Sequence, residues 1–139
     1  MAKKKDKKHL TLLGKSETKV PTSPSATILE TFENPSARPY WIQFHSADFT
    51  SLCPITGQAD FAEITIDYVP NERCLETKSL KFYLASFRNE KAFNEKVTNH
   101  ILDDLVRACA PRKMIIKAEF ASRGGIALTV TAMFPDAAE

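Results

Sequence analysis

Residues 61–69 read Phe-Ala-Glu-Ile-Thr-Ile-Asp-Tyr-Val, and apolar and polar side chains alternate along this stretch. Successive side chains of a β-strand point to opposite faces of its sheet. The alternation therefore predicts a strand with one apolar face and one polar face. The residues predicted to face inward are Ala62, Ile64, Ile66 and Tyr68.

Three further segments have strand-like patterns. Residues 40–45 precede the strand predicted over 61–69, and a long connection is predicted between them over 46–60. Residues 113–121 and 126–134 form a second pair near the other end of the chain. Ser122-Arg-Gly-Gly125 joins this second pair, and two adjacent glycines suit a hairpin turn.

Two segments between these pairs have helical periodicity instead. The first begins at Ser79, and its apolar stripe consists of Leu80, Tyr83, Leu84 and Phe87. The second runs from about 93 to 110, and its stripe consists of Val97, Ile101, Leu105 and Ala108. Pro111 then stops the helix.

The predicted order of elements is β-β-α-α-β-β. This order indicates an α+β fold, with a four-stranded antiparallel sheet and both helices on one face. Such a sheet has two edges that need covering, and a ring of subunits joined edge to edge would supply the pairing. Residues 1–39 hold four prolines and are predicted to be tail and loop, with Ile28, Leu29 and Phe32 as anchors on the surface.

The composition fits one globular domain. The chain has 139 residues, of which 43% are apolar and 26% charged, and no apolar run is long enough to span a membrane. The first residues lack the apolar core of a secretory signal, so we expect a soluble, cytoplasmic protein. Residues 1–9 carry five lysines against one aspartate, whereas the rest is net acidic, with 14 basic and 16 acidic residues. We therefore predict a disordered basic tail over 1–11, with a weak RNA contact as the alternative, and a single domain over 12–139.

Cysteine and histidine residues are few and scattered. No Cys-x-x-Cys pair occurs, and no histidine has a second ligand at metal-binding spacing, so neither a disulfide framework nor a protein-bound metal is predicted. The six residues are Cys53, Cys74, Cys109, His9, His45 and His100.

Chemistry could reside in the predicted connection between the first two strands. Cys53 lies in this polar segment, and Asp60 follows seven residues later. A thiolate is a nucleophile whose pKa responds to nearby charges and dipoles, and a carboxylate beside it could take or return protons. The alternative is an ordinary loop cysteine with an aspartate that caps the loop.

Three basic residues could hold phosphate. Lys78 and Lys81 are three residues apart, so they share a face near a helix N-terminus, where anions bind readily. Arg123 offers a guanidinium on the predicted hairpin turn. The alternatives are a solvated basic helix face and a plain hairpin.

The start of the second helix carries Phe93, Asn94 and Glu95. A carboxylate in a first helical turn interacts favourably with the helix dipole, worth about 0.3–1 kcal/mol. The same carboxylate could also accept hydrogen bonds from the N–H edge of a base.

These segments together resemble the signature segments of one family. They are Cys53-Pro-Ile-Thr-Gly-Gln-Ala-Asp-Phe61, Glu76-Thr-Lys-Ser-Leu-Lys-Phe-Tyr83, Ser86-Phe-Arg-Asn89 and Arg123-Gly-Gly-Ile126. The chain is similar in them to the short, single-domain members of the QueF family, the NADPH-dependent 7-cyano-7-deazaguanine reductases of queuosine biosynthesis. The resemblance covers roughly residues 12–128. It implies the tunnelling fold, whose unit has the order of elements given above, and rings of subunits with active sites between neighbours.

The resemblance also implies a reaction and its residues. Cys53 would attack the nitrile carbon to give a covalent thioimide, Asp60 would move protons, and two hydride transfers from NADPH would give the primary amine. Glu95 would hold the base through charge-assisted hydrogen bonds, with Phe93 stacking nearby. Asn94 occupies a position where the family usually has histidine, which can donate a proton at neutral pH as asparagine cannot.

The remaining predicted site residues belong to the cofactor and to the second motif. Lys78, Lys81 and Arg123 would hold the NADPH phosphates, with Arg123 coming from another subunit in one arrangement. Glu76 and Ser79 would contribute to the substrate site. No metal is implied, because the metal-binding histidines and cysteines of pterin enzymes with this fold are missing.

Asn94 keeps two other functions open. The chain could form the thioimide and then use another nucleophile than hydride, as archaeal amidine-forming relatives do, although such relatives have no need of Lys78 and Lys81. It could also bind a deazaguanine without turnover. The reductase is the leading prediction, with a small-molecule substrate, a homo-oligomer and no direct contact with nucleic acid or membrane.

Overall fold

The computed structural model describes residues 20–136, so the predictions for the basic tail lie outside the described residues. In chain order the elements are β1 (Thr31–Glu33), β2 (Ile42–Leu52), β3 (Ala59–Val69), β4 (Arg73–Leu75), α1 (Thr77–Ala85), α2 (Asn94–Cys109), β5 (Lys113–Arg123) and β6 (Ile126–Phe134). Two short 3-10 helices, Ala26–Ile28 and Ser86–Asn89, precede β1 and follow α1.

Four strands form an antiparallel sheet in the order β2-β3-β5-β6. The two central strands place Ile64 opposite Ala118 and Ile66 opposite Ile116. These four side chains are buried, as are Ala62 and Tyr68, so the inward face predicted for the first strand is confirmed. The opposite face carries polar pairs such as His45 and Thr65.

Both helices pack on the apolar face of this sheet, which confirms the α+β prediction. The stripe of α1 and the following 3-10 helix is buried through Leu80, Tyr83, Leu84 and Phe87. The stripe of α2 is buried through Val97, Ile101 and Leu105, whereas Ala108 is half-buried. The described chain has one hydrophobic core, to which the sheet and both helices contribute.

Strand β2 is longer than the sequence indicated, so the connection predicted over 46–60 is confirmed only for residues 53–58 and was wrong for the rest. The strand continues to Leu52, and three steps along it from Ser46 to Phe49 match two steps along β3 from Ile64 to Ala62. One extra residue on β2 therefore forms a bulge, which exchanges the inward and outward positions. The alternation breaks at that point, so a period-two pattern could not reveal the second half of the strand.

The segment before β2 also contains regular structure, which corrects the prediction of tail and loop over 1–39. Strand β1 pairs with β4, with Phe32 opposite Cys74. Ile28 and Leu29 pack against the core, as predicted for two of the three anchors. A three-residue strand has too few side chains to produce a pattern, so this small sheet could not be predicted.

Candidate functional site

Cys53 opens the tight connection between β2 and β3. Its N–H donates to the carbonyl of Gln58 over 2.8 Å, and its carbonyl accepts from the N–H of Gly57 over 2.9 Å. Gly57 has φ 73°, a left-handed conformation that glycine adopts without strain. The connection therefore spans only residues 53–58, and it holds the partly exposed thiol at the end of the sheet.

Hydrogen bonds within this connection lower the pKa of the Cys53 thiol. The side chain of Thr56 makes the largest contribution, followed by the backbone N–H groups of Thr56 and Ile55. The negative charge of Asp60 acts in the opposite direction and raises this pKa. The net effect lowers this pKa and so stabilises the thiolate, the nucleophilic form, relative to that of an ordinary cysteine.

Asp60 lies beside this connection at the start of β3. It faces Ser51 across the β2–β3 pair, and its side chain is only 11% exposed. The Nε of Arg123 pairs with Asp60 Oδ1 at 3.0 Å. The hydroxyl of Ser51 is buried and has no hydrogen-bond partner within the described residues. This end of the sheet thus carries a thiol, a carboxylate, a guanidinium and a buried hydroxyl.

Two backbone hydrogen bonds join the residue before Cys53 to the segment before the second helix. The N–H of Leu52 donates to the carbonyl of Glu90 over 2.8 Å, and the N–H of Ala92 donates to the carbonyl of Leu52 over 3.2 Å. These bonds make a parallel bridge between Leu52 and Lys91. The residue after Leu52 is Cys53, and the bridge leads directly to the start of α2.

The three residues predicted at the start of α2 follow this bridge in the chain. Phe93 is the N-cap residue of α2, is 59% exposed, and makes no side-chain cap. Glu95 is exposed in the first turn. The Oδ1 of Asn94 is buried and has no hydrogen-bond partner within residues 20–136. An unpaired buried acceptor of this kind is costly unless a ligand or water donates to it.

Glu76 and Ser79 are occupied by the start of α1. The Glu76 carboxylate accepts from the N–H of Lys78 at 2.8 Å and from that of Ser79 at 2.7 Å. The Ser79 hydroxyl donates to the carbonyl of Glu76 and accepts from the N–H of Glu30, both at 3.0 Å. Glu76 therefore occupies these two N–H groups, and an anion site at this helix N-terminus stays a prediction that depends on the lysine side chains. A substrate role for Glu76 and Ser79 stays a prediction.

The two lysines differ in their surroundings. A cavity of about 410 Å³ lies between β2 and α1, and Lys81 and Arg88 contribute its cationic groups. Lys81 is exposed, whereas Lys78 is partly buried and is not among the lining residues. The positive charges of the two lysine ammonium groups suit an anionic ligand. The phosphate role of both lysines stays a prediction.

Three polar residues of the site were not singled out from the sequence. Thr56 and Gln58 lie inside the first quoted motif, and Ser51 lies two residues before Cys53. The hydrogen bonds of loop residues depend on the conformation of the loop. The sequence showed no signal for that conformation, so the roles of Thr56 and Gln58 could not be predicted. The cross-strand position of Ser51 followed only from the bulged register of β2.

No helix in the described part of the chain is long and apolar enough to cross a membrane. Among residues 20–136, no group of three or more histidine, cysteine, aspartate or glutamate side chains is arranged to hold a metal ion.

Comparison with protein families gives a match that begins after Cys53 and includes Asp60. The model of the family described as QueF-like protein matches residues 59–139. In three dimensions the chain is similar to the crystal structure of the archaeosine synthase QueF-Like in the apo form, with a TM-score of 0.65 and 21% sequence identity. The likeness covers 69% of this chain and 94% of that one, and it supports the predicted tunnelling fold.

Curated relatives share about half of their residues with this chain. A protein of Anaeromyxobacter sp. (strain K) is 56% identical over 114 residues, which are 81% of this chain and 93% of the relative. Proteins of Alkalilimnicola ehrlichii and Chlorobaculum tepidum are 57% and 50% identical, over 80% and 81% of this chain and 86% and 97% of their own lengths. All three relatives carry the name NADPH-dependent 7-cyano-7-deazaguanine reductase.

Proposed function

Because the chain belongs to the QueF-like family, we propose that it reduces the nitrile of 7-cyano-7-deazaguanine to 7-aminomethyl-7-deazaguanine with NADPH, in queuosine biosynthesis. One observation carries this proposal. The thiol of Cys53, with its pKa lowered by hydrogen bonds of the turn, lies within electrostatic reach of the buried carboxylate of Asp60. A nitrile carbon is an electrophile that such a thiolate can attack.

Cys53 is the nucleophile of the proposed reaction. Its sulfur forms a bond to the nitrile carbon, one C–N π bond breaks, and the nitrogen takes up a proton, so that a covalent thioimide results. Hydrogen bonds from Thr56 and Ile55 hold the thiolate before the attack. These bonds are made within one turn, so the nucleophile needs no movement of the sheet.

Asp60 is the proton carrier. It accepts the proton that leaves the Cys53 thiol and delivers it to the nitrile nitrogen, which balances the addition step. The carboxylate is nearly buried, so bulk water competes little for this proton. Each of the two later hydride additions takes up one proton at the same nitrogen. Between them the C–S bond breaks, the nitrogen gives one proton back and the Cys53 thiol is released, and the same carboxylate can carry these protons after exchange with solvent.

NADPH, when bound, supplies the two hydrides that convert the thioimide into the amine. Lys78 and Lys81 would hold its phosphates as point charges. This assignment is supported by the position of Lys81 at the cavity beside β2. The guanidinium of Arg123 is engaged with Asp60, so we assign the phosphate contacts to the lysines first.

The base would be held at the start of α2. The Glu95 carboxylate is exposed there and can accept hydrogen bonds from the ring N–H and amino groups of a deazaguanine. The exposed ring of Phe93 offers a stacking surface. The unpaired Oδ1 of Asn94 is an acceptor, so it suits an N–H group of the substrate or of a reduced intermediate.

The site would be completed by a second copy of the chain. Strands β2 and β6 are the two edges of the sheet, and each can pair with another edge. Large apolar side chains are exposed at the same end as Cys53, and they are Ile55, Phe61, Phe93 and Ile126. A ring of subunits would cover both features.

Asn94 supports a second candidate, in which the chain forms the thioimide or binds the base without efficient reduction. An asparagine acceptor can position a nitrogen and cannot donate a proton to it at neutral pH. In this case addition to Cys53 would proceed and hydride transfer would be slow.

Mixing the protein with 7-cyano-7-deazaguanine and NADPH tests the proposal. We expect the cofactor absorbance to fall by two equivalents per nitrile, and mass spectrometry should detect the aminomethyl product. The variant Cys53→Ala should consume no NADPH. Loss of nitrile without loss of NADPH would favour the second candidate, and no adduct and no turnover would refute both enzymatic readings.

A further inference from the structure

Arg123 reaches from one hairpin to the turn of another. It is the last residue of β5, and its guanidinium makes three contacts with the start of β3 and the residue before it. Its Nε pairs with Asp60 Oδ1 at 3.0 Å, and one terminal nitrogen donates to Gln58 Oε1 at 3.0 Å. The other terminal nitrogen donates to the carbonyl oxygen of Ala59. All three nitrogens of the fork are therefore engaged within the chain.

A bulge explains why the side chain points to this turn. Strand β5 pairs regularly with β6 as far as Phe120, and the register shifts before Arg123 pairs with Ile126. The regular β3–β5 pairing also ends at Phe120, opposite Ala62. Bulges next to active sites commonly re-aim a side chain, and here the shift turns Arg123 back over the end of β3.

The three contacts hold the proposed proton carrier in one orientation. A charge-assisted hydrogen bond is stronger than a neutral one, and the planar guanidinium fixes direction as well as distance. Because Arg123 pairs with Oδ1, the other carboxylate oxygen of Asp60 is the one that would exchange a proton with Cys53. The bond to Gln58 also steadies the connection that begins at Cys53, since Gln58 accepts from the Cys53 N–H.

On the basis of the proposed reductase activity, we propose that Arg123 is a positioning residue for Asp60 in thioimide formation. A phosphate role would require the guanidinium to leave its three contacts with the turn. The two roles are separable by experiment, because addition of the thiol to the nitrile consumes no NADPH.

The first measurement follows adduct formation in the absence of NADPH. Protein and 7-cyano-7-deazaguanine are mixed and quenched at intervals, and the fraction of chains with the added mass is determined. Arg123→Gln should slow adduct formation at least tenfold, which corresponds to about 1.4 kcal/mol of barrier. Arg123→Lys keeps the charge and one donor, so it should recover part of the rate. The matched control Arg112→Gln, an exposed arginine before β5, should react as the wild type does.

Chemical rescue separates positioning from a loss of fold. Ethylguanidinium added to Arg123→Ala should restore part of the adduct rate, and it should leave wild type and Asp60→Asn unchanged. An unfolded variant could not be rescued, and circular dichroism would identify it. If Arg123→Gln is unfolded as well, Arg123→Lys decides the question, since its rate should lie below that of wild type with the fold intact.

A measurement without substrate provides the second arm. The Asp60 charge raises the pKa of Cys53, and Arg123 offsets part of that charge. Alkylation of Cys53 by iodoacetamide should therefore have its midpoint at higher pH in Arg123→Gln than in Arg112→Gln. An unchanged midpoint would count against the coupling.

A normal adduct rate in Arg123→Gln, together with a raised KM for NADPH, would overturn the proposal. That result would favour a phosphate-binding role for Arg123. Failure of the proposed function gives a different result, because the wild type itself would then form no adduct. In that case the alkylation midpoint still reports whether Arg123 acts on the Cys53–Asp60 turn.

Discussion

Leu52 and Lys91 are joined in a parallel bridge, although they are far apart in the sequence and belong to no common strand pair. The bridge connects the end of β2 to the segment before α2. Cys53 follows Leu52 and the start of α2 follows Lys91, so this bridge joins the segment that carries the proposed nucleophile to the segment that leads into the proposed base-binding residues. The site therefore depends on a backbone bridge that lies outside any regular strand pair, and a sequence pattern does not predict such a bridge.

Thr56 should set the reactivity of the Cys53 thiol. Its side chain makes the largest contribution to the lowered pKa of Cys53, so Thr56→Val should raise that pKa. Fewer thiols would then be ionised at neutral pH, and alkylation by iodoacetamide should slow there. At high pH, where the thiol is ionised in both proteins, the two rates should converge. The pH dependence of the alkylation rate measures this shift.

Thr56→Ser is the matched control, because it keeps the hydroxyl and removes only a methyl group. Its alkylation midpoint should stay near that of the wild type. Equal midpoints for the valine and serine variants would show that the hydroxyl does not stabilise the thiolate.

Lys78 and Lys81 should act on NADPH and not on the base. Replacing either by alanine should raise the KM for NADPH about ten- to a hundredfold, which corresponds to roughly 1.5–3 kcal/mol for a charge-assisted contact. Adduct formation with the nitrile alone should be unchanged, because it needs no cofactor. Steady-state kinetics and intact-mass analysis measure the two effects separately.

Lys117→Ala is the control for a general effect of charge. Lys117 lies on the polar face of the sheet and pairs with Glu119 at 3.7 Å. Its loss should leave the KM for NADPH unchanged. A normal KM in both Lys78→Ala and Lys81→Ala would show that these lysines form only a solvated helix face and do not bind NADPH.

Asn94→His should raise kcat with little effect on the affinity for the nitrile. Histidine can donate a proton that asparagine cannot, and general acid help is typically worth about 10²–10⁴-fold in rate. Single-turnover reduction of the adduct and the dissociation constant of the nitrile should be measured for both proteins. Robust wild-type turnover that is not improved by histidine would show that this position is not the missing acid.

Tyr83 should stabilise the packing of α1 on α2. Its hydroxyl donates to Asp104 Oδ2 over 2.6 Å, and both side chains are buried. Tyr83→Phe removes this donor and should lower the free energy of unfolding by about 1–3 kcal/mol. His100 still contacts the same oxygen at 3.1 Å, so the variant should fold. Urea denaturation measures the change.

Tyr40→Phe is the corresponding control outside the core. Its hydroxyl donates to Asn34 Oδ1 over 2.6 Å at a partly buried site, where water can replace the lost donor. Its effect should be smaller than that of Tyr83→Phe. Equal effects would mean that burial does not decide the cost of losing the hydroxyl.

The assembled protein should be several times larger than one chain. The exposed sheet edges and the apolar side chains near Cys53 need covering, so light scattering should give a multiple of 15.6 kDa. Ile126→Lys, which places a charge at a side chain 74% exposed, should weaken assembly and activity together. A fully active monomer would contradict a site shared between subunits.

Much of the fold followed from local patterns. Period-two alternation identified β3, and helical spacing identified α1 and α2, because side-chain direction in these elements depends only on the backbone repeat. The motif around Cys53 and Asp60 was also visible, since both residues lie within one short segment. The order of elements then restricted the architecture to a sheet covered by helices on one face.

Long-range pairing decided the rest. The bulge in β2, the β1–β4 pair and the bridge from Leu52 to Lys91 are set by backbone hydrogen bonds between distant segments, and these carry no side-chain signature. The capping role of Glu76 and the contact of Arg123 with Asp60 depend on where such pairing places each side chain. Sequence determined which residues could do chemistry, whereas tertiary structure decided their partners, because a partner is chosen by distance in space and not by distance along the chain.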